Sequence, residues 1–359
     1  MSEAVQSLVD RVRSAADAGT PLRVRGGGTK DFYGSALDGD LLDTRGCAGI
    51  VRYDPSELVM TACAGTPLAE VEAALGARSQ MLPFEPPHFT QSGGGATLGG
   101  CVAAGLSGPR RVAAGALRDY MLGAKLLDGR ARVLAFGGEV MKNVAGYDVS
   151  RLLAGSLGTL GVLLEVSLKV LPRPVEEQTR RFELSQAAAI ETLNTWAGQP
   201  HPISGSAWCD GALQLRLSGA ATAVRAARER LGGEAVASED AAAFWAALRE
   251  QTHPFFAGDA PLWRLALPSI TAPRALALDA APLLEWGGAL RWIRSDADAH
   301  IVREAAGRAG GHATLFRAAD KSAGAFAPLS ASQMRLHRGL KAAFDPQRVF
   351  NRGRLYPDL

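Results

Sequence analysis

Val5, Leu8, Val9 and Val12 recur at the spacing of one helical face with charged residues between them, which predicts an amphipathic helix over about residues 3–17. The period then shortens. LRVR (22–25), LLDTRG, GIVRYDP and LVMTACAG read as short strands, and PLAEVEAAL (67–75) as a helix opening on proline. YMLGAKLL (120–127), ARVLAF (131–136) and VLLEVSLKVL (162–171) are apolar runs bounded by Gly and Asp-Gly, and they predict further strands. A strand, a glycine loop, three strands and a helix make an α+β order, not a run of βαβ units. Beyond LKVLPRPVEEQ (168–178) the texture changes. The alanine-rich helices AATAVRAARERLGG (220–233) and DAAAFWAALREQ (240–251) alternate with the strands ALQLRLSG, PLWRLALPS and ALRWIRS. A boundary is expected at Pro172–Pro174, giving a first domain over 1–174, a second over 175–340 and a tail over 341–359.

Glycine supplies the second pattern: 16 of the 41 fall within residues 93–161. QSGGGATLGG (91–100) is either a flexible linker or a surface on which something lies against the main chain, since glycine is costly to order. The strand patterns between these glycines exclude a linker. Glycine loops that turn several N–H groups inward form anion nests. Neither GxxxxGK[ST] nor GxGxxG is present, so neither a P-loop nor a Rossmann site follows. Two loops, RGGGTK (25–30) and SGGGATLGG (92–100), followed by GLSGPRR and SLGTLGV, would line an extended ligand with donors. That demand suits a pyrophosphate-bridged cofactor better than a single phosphate.

Composition narrows the classes. The 359 residues allow two domains, and 47% hydrophobic with 21% charged residues is a globular balance. A net charge of +3 with scattered basic residues leaves no footprint for nucleic acid. No run approaches the roughly 18 apolar residues of a membrane span, and the first residues lack the apolar core of a signal peptide. Cys47, Cys63, Cys101 and Cys209 show no CxxC spacing, so neither a zinc site nor an iron–sulfur cluster is expected, and no metal-ligating residue is identified.

RGGGTK, GGGATLGG and KNVAGYDVSRLLAGSLGTLGVLLEVSLKVLPRP (142–174) resemble the PCMH-type FAD-binding domain shared by vanillyl-alcohol oxidases, D-lactate dehydrogenases and glycolate oxidases. Within that family the resemblance is to the small FAD-binding subunits of bacterial glycolate oxidases, whose FDP…FNxGR ending matches FDPQRVFNRGRLYPDL (344–359). It is strong over 20–175, good over the tail and loose over 176–340. It implies an FAD-binding domain of two α+β subdomains, an α+β cap, and a tail returning to the FAD domain. Carried over residue by residue, Gly26, Gly27, Gly28 and Thr29 would cradle the pyrophosphate. Ala96, Thr97, Leu98, Gly99 and Gly100 would pass along the ribityl chain and flavin edge. Gly105, Ser107 and Gly108 would continue that wall, and Gly161 with Val162 would face the adenine end or the pyrophosphate.

Some relatives attach flavin through a histidine in the first loop. RGGGTKDF has neither histidine nor cysteine, so the resemblance implies non-covalent FAD. Catalytic relatives carry an HxGDGNxH-like cluster that this sequence lacks, its six histidines being isolated. Oxidation of a 2-hydroxy acid needs a carboxylate clamp, a base and the flavin. Arg264 and Arg291 are the clamp candidates, and no base is identifiable. The expectation is therefore an accessory FAD subunit of a glycolate oxidase (glycolate dehydrogenase) turning glycolate into glyoxylate. It would work with a larger catalytic FAD subunit and an iron–sulfur subunit, on the cytoplasmic side and peripheral to the inner membrane only through those partners. Trp245, Trp263 and Trp292 are expected either to contribute an apolar partner surface on the cap or to fill the cap's own core, the latter favoured for any one of them. The alternatives are a self-sufficient FAD-dependent D-lactate or glycolate dehydrogenase, and an FAD-free scaffold.

Overall fold

The computed structural model describes residues 2–138 and 148–359, so residues 142–147 of the resembling segment lie outside the described residues. Helix α1 (Glu3–Ala18) forms where the helical period places it. Ser2 caps its start, Gly19 ends it in a left-handed turn, and Leu8, Val9, Val12 and Ala15 are its buried face. That face packs on the parallel pair β1 (Leu22–Arg25) and β2 (Asp40–Asp43).

A five-stranded antiparallel sheet follows. It comprises β3 (Ile50–Asp54), β4 (Val59–Cys63), β5 (Met121–Leu127), β6 (Val133–Gly137) and β7 (Val162–Lys169), in the order β3–β4–β7–β5–β6. β7 is apolar on both faces because both are covered. Val162 and Leu164 join the core under α1, whereas Leu163, Val166 and Leu168 join one with α2 (Leu68–Gly76) and α3 (Leu98–Ala104).

Residues 172–174 lie between this sheet and an eight-stranded antiparallel one. Its strands are β8 (Glu176–Glu183), β9 (Ile203–Cys209), β10 (Ala212–Gly219), β11 (Glu234–Ala235), β12 (Leu262–Ala266), β13 (Leu283–Glu285), β14 (Leu290–Arg294) and β15 (His312–Arg317). Their order is β11–β8–β10–β9–β13–β14–β12–β15. α4 (Gln186–Ala197), α5 (Ala221–Leu231) and α7 (Ala299–Arg308) cover one face of the sheet. The other face meets the first domain. Leu262, Leu283, Leu290, Trp292 and Phe316 share a core there with Tyr33, Phe89, Ala104, Leu106 and Leu157, joined by Trp245 of α6 (Ser238–Glu250).

Ion pairs stitch this seam. Arg110 reaches Glu85 (3.3 Å) and Glu177 (2.6 Å), and Arg216 reaches Glu85 (2.9 Å) while stacking on Trp245. The carboxylate of Glu250 accepts the backbone N–H groups of His88 and Phe89. Of the two expectations for the three tryptophans, the structure shows the interior one. Trp263 packs beneath α7, and Trp245 and Trp292 fill the seam, because their strand and helix positions face a core. The exposed apolar side chains include Val112, Val175 and Leu336.

Helix α8 (Ala331–Phe344) returns to the first domain. Buried Lys341 donates to Asp345 (2.9 Å) and to the carbonyls of Thr159 (2.7 Å) and Phe350 (2.8 Å), while Asp345 accepts the N–H groups of Val349 and Phe350. The segment then runs parallel to β1, with Leu22 N donating to Val349 O and Asn351 N to Leu22 O. Among the described residues, no helix is long and apolar enough to cross a membrane.

Candidate functional site

β1 ends at Arg25 and runs straight into Gly26–Gly28. The loop turns because Gly28 takes a φ of +76°, which side-chain-bearing residues rarely adopt. Gly27 is glycine for a different reason: a Cβ there would stand 1.6 Å from the carbonyl oxygen of Gly95. The two glycine loops thus touch backbone to backbone. Among the described residues, no hydrogen bond takes the N–H groups of Gly27, Gly28 or Thr29. These residues line a groove completed by Thr97, Gly100, Leu157, Asn351 and Arg354. Past Gly26 the groove continues between Gly100, Ser156, Gly158 and Gly161.

Unfilled backbone donors beside basic side chains suit a pyrophosphate, and the apolar walls at Ala103, Leu153 and Leu163 suit the rest of an extended cofactor. The residues present therefore fit FAD. Lys30 lines the donor-rich end. Its ammonium makes two long hydrogen bonds, to Thr29 Oγ1 (3.3 Å) and His88 O (3.4 Å), and burial pulls its pKa below the usual lysine value. Arg354 is 4% exposed and donates to the carbonyls of Lys30 (3.2 Å), Asp31 (2.9 Å) and Ser35, which holds the first loop in place. Burial pushes its pKa down to about 10. Asn351 accepts from Val24 N (2.8 Å) and donates to Leu157 O (2.7 Å), pinning β1 to the opposite wall. Lys30, Asn351 and Arg354 were missed by the sequence reading. The FNRGR stretch was the available signal, read only as a tail.

The second glycine stretch is less bare than its sequence suggests. Thr97 caps α3 by accepting Gly100 N, so Leu98, Gly99 and Gly100 are the helix's first turn. Gly99 donates to Ala64 O (2.7 Å), and its missing side chain makes room for Ala64, although the residue also borders the groove. Ala96 and Leu98 point into the core beneath α3. Gly105 ends α3 at φ +63° against Gly155, Ser107 Oγ accepts Leu117 N, and Gly108 O accepts the Trp286 indole N–H. Val162 is fully buried under α1, whereas Gly161 beside it borders the groove. The groove thus brings together Gly26–Thr29, Thr97, Gly99, Gly100 and Gly161, but not Ala96, Leu98, Gly105, Ser107, Gly108 or Val162.

The two arginine candidates part company. Strand alternation turns Arg291 away from the first domain: it is fully buried and donates to Gly288 O and Thr271 O. It cannot clamp a substrate. Arg264 lies across from Trp292 on the face that meets the first domain. Among the described residues its guanidinium has no hydrogen bond or ion pair, and it stacks 5.1 Å from the Trp286 ring centroid. Glu285, 5% exposed, accepts the Trp292 indole N–H at 2.8 Å, and burial pushes its pKa up to about 7. Cys101 is buried and its thiol pushed up to about 12, so it offers no thiolate for a flavin linkage. No group of three metal-ligating side chains occurs among the described residues.

Comparison with known proteins places these features. A family profile for a FAD binding domain matches residues 2–137. The glycolate oxidase subunit GlcE of Escherichia coli (strain K12) is 51% identical over 354 residues, covering 99% of this chain and 98% of that protein. The glycolate oxidase subunit GlcD of Bacillus subtilis (strain 168) is 31% identical over 130 residues, 36% of this chain and 27% of that protein. Among solved structures, an alkyldihydroxyacetonephosphate synthase superposes with a TM-score of 0.68 over 96% of this chain and 75% of its own. At 14% identity that likeness is one of fold.

Proposed function

Because the chain belongs to the family of the glycolate oxidase subunit GlcE, we propose that it is the FAD-binding subunit of a complex oxidising glycolate to glyoxylate. It is an FAD-dependent oxidoreductase component. The observation that carries the site assignment is the groove in which the unpaired N–H groups of Gly27, Gly28 and Thr29 stand beside Lys30 and Arg354.

FAD, when bound, supplies the acceptor for the hydride of a CH–OH donor. The chain's own residues hold it without a covalent bond. Gly26–Thr29 would present N–H groups and Lys30 a positive charge to its phosphates, as a nest does for any anion. Arg354 and Asn351 keep the loop and β1 at their spacing, and Gly100 and Gly161 let the main chain approach. Water is excluded at the seam by the shared core of Tyr33, Leu106, Leu157, Trp292 and Phe316.

In this reading proton abstraction from the substrate belongs to a partner; among the described residues no histidine lines the groove. The partners are a larger catalytic FAD subunit and an iron–sulfur subunit, and the chain reaches the membrane through them from the cytoplasmic side. The test is an absorbance spectrum of the purified chain followed by assays of the chain alone and of the native complex. Yellow protein that is inert alone and active in the complex is expected. Turnover of glycolate or D-lactate by the chain alone with an artificial acceptor would replace the accessory role by a self-sufficient dehydrogenase.

A further inference from the structure

A second concavity lies between the domains and shares no residue with the flavin groove. Its volume is about 210 Å3, and it is lined by Val112 and Ala113 of the first domain and by Leu193 and Trp196 of α4, Ile203 of β9 and Trp286. Polar groups along its wall are engaged within the chain. Ser206 Oγ accepts Gly287 N (2.9 Å), Ser204 Oγ is bonded to Ser218 Oγ (2.6 Å), and the Trp286 indole N–H donates to Gly108 O (3.1 Å). At the rim His201 Nε2 meets Gln199 Oε1 at 3.0 Å. The surface on offer is therefore apolar. A benzene ring fits an apolar cavity of about 150 Å3, so this one has room for an aromatic or leucine side chain.

The rim is apolar as well. Val112 is 66% exposed and Val175 86%. They flank a single ion pair, since Arg110, two residues before Val112, reaches Glu177, two residues after Val175, at 2.6 Å. Exposed apolar residues scattered singly need no explanation, but a pocket edged by two of them has the form of an anchor site at an interface.

Charge beside this face is unbalanced. The Arg111 guanidinium carbon lies 4.7 Å from the Trp286 ring centroid, and among the described residues the group has no hydrogen bond or ion pair. Burial, then the charges of Arg264 and Arg118, pulls its pKa below the ordinary value. Asp119, the carboxylate that opposes them, is shared with Arg118 (3.9 Å) and Arg151 (3.8 Å). A partner that brings its own carboxylate complements this face.

We propose that this face is the docking site for the larger FAD-binding subunit, which inserts one aromatic or leucine side chain into the cavity and sets a neighbouring Asp or Glu against Arg111. The existence of that partner rests on the glycolate oxidase reading, which assigns to it the chemistry this chain lacks. The position of the docking site rests on the cavity, its rim and the unmatched charge.

The test uses the native complex, purified through a tag on this chain. Val112→Glu places a charge on the rim, and Ala113→Trp fills the mouth without one. Each should lower recovery of the larger subunit at least tenfold, while flavin content and urea midpoint of the chain stay at wild-type values. Should one variant fail to fold, the other carries the measurement. Leu336→Glu, at an exposed apolar position on α8, should leave recovery unchanged. Arg111→Gln should weaken association and flatten its salt dependence. With p-benzoylphenylalanine in place of Val112, irradiation should join this chain to a larger-subunit peptide holding an aromatic residue or leucine beside Asp or Glu. Full recovery of the larger subunit with Val112→Glu and Ala113→Trp overturns the docking site and leaves the glycolate oxidase reading standing. A crosslink to a second copy of this chain, or to a different subunit, also overturns it. A wild-type chain that purifies alone overturns the reading and the docking site together.

Discussion

Replacing Glu285 by glutamine should stabilise the protein at pH 8 and leave it nearly unchanged at pH 4. Glu285 is 5% exposed, and its carboxyl accepts one hydrogen bond, from the Trp292 indole at 2.8 Å, which a glutamine oxygen can also accept. Burial is the largest cause of its rise from 4.5 to about 7, with Arg264 opposing it. The folded chain therefore holds this proton more tightly than the unfolded chain does. Between those two values the unfolded state releases its proton first, so the contribution to stability falls as pH rises through the window and the penalty is complete above it. At 1.36 kcal/mol per pKa unit the full effect is about 3 kcal/mol. Glutamine cannot ionise and escapes the penalty. Urea denaturation of wild type and Glu285→Gln at pH 4, 5.5 and 8 measures the difference, in which the other titrating groups cancel. A wild-type-minus-variant difference that does not change with pH would refute the reasoning.

Three further outcomes follow from the packing around the groove. Asp345→Ala strands the buried ammonium of Lys341 and should cost about 3–5 kcal/mol in denaturant unfolding; a loss below 1 kcal/mol would contradict the buried pair. Arg354→Ala removes three donors to the first loop and should lower the flavin-to-protein ratio after gel filtration at least tenfold, with Arg354→Lys retaining part of it. Wild-type flavin content in Arg354→Ala would show that the loop holds itself. Acid precipitation should leave the flavin in the supernatant, since the first loop has no attaching side chain and Cys101 is inert; yellow pellets would mean a covalent link.

Much of the fold was legible because local period and tertiary environment agree. α1 has one apolar stripe and buries it, and each anticipated strand of the first domain lies within a few residues of the observed one. Glycine serves two ends that look alike in sequence. At Gly27 and Gly99 the bare backbone makes room for neighbouring atoms as well as bordering the groove, and only coordinates distinguish the two demands. Arg264 and Arg291 look alike in sequence, each beside a tryptophan on a strand, but register turns one to the seam and the other to the core. The placement of Asn351 and Arg354 beside Lys30 is a further case: FNRGR marks the stretch, but not what it meets. Their roles depend on contacts spanning up to 327 residues, which no local pattern encodes.

The parallel bridge between β1 and the stretch around Phe350 also has a bearing on when the protein can be assembled. The first glycine loop leaves the ribosome early, but the side chains that hold its carbonyls and pin β1 arrive more than three hundred residues later. At about 5–20 residues per second that interval lasts some tens of seconds. Throughout it the nascent first domain lacks the bridge from Phe350 to β1 and one wall of its groove. If the proposed groove holds the flavin, stable flavin retention is expected only once translation has passed Arg354.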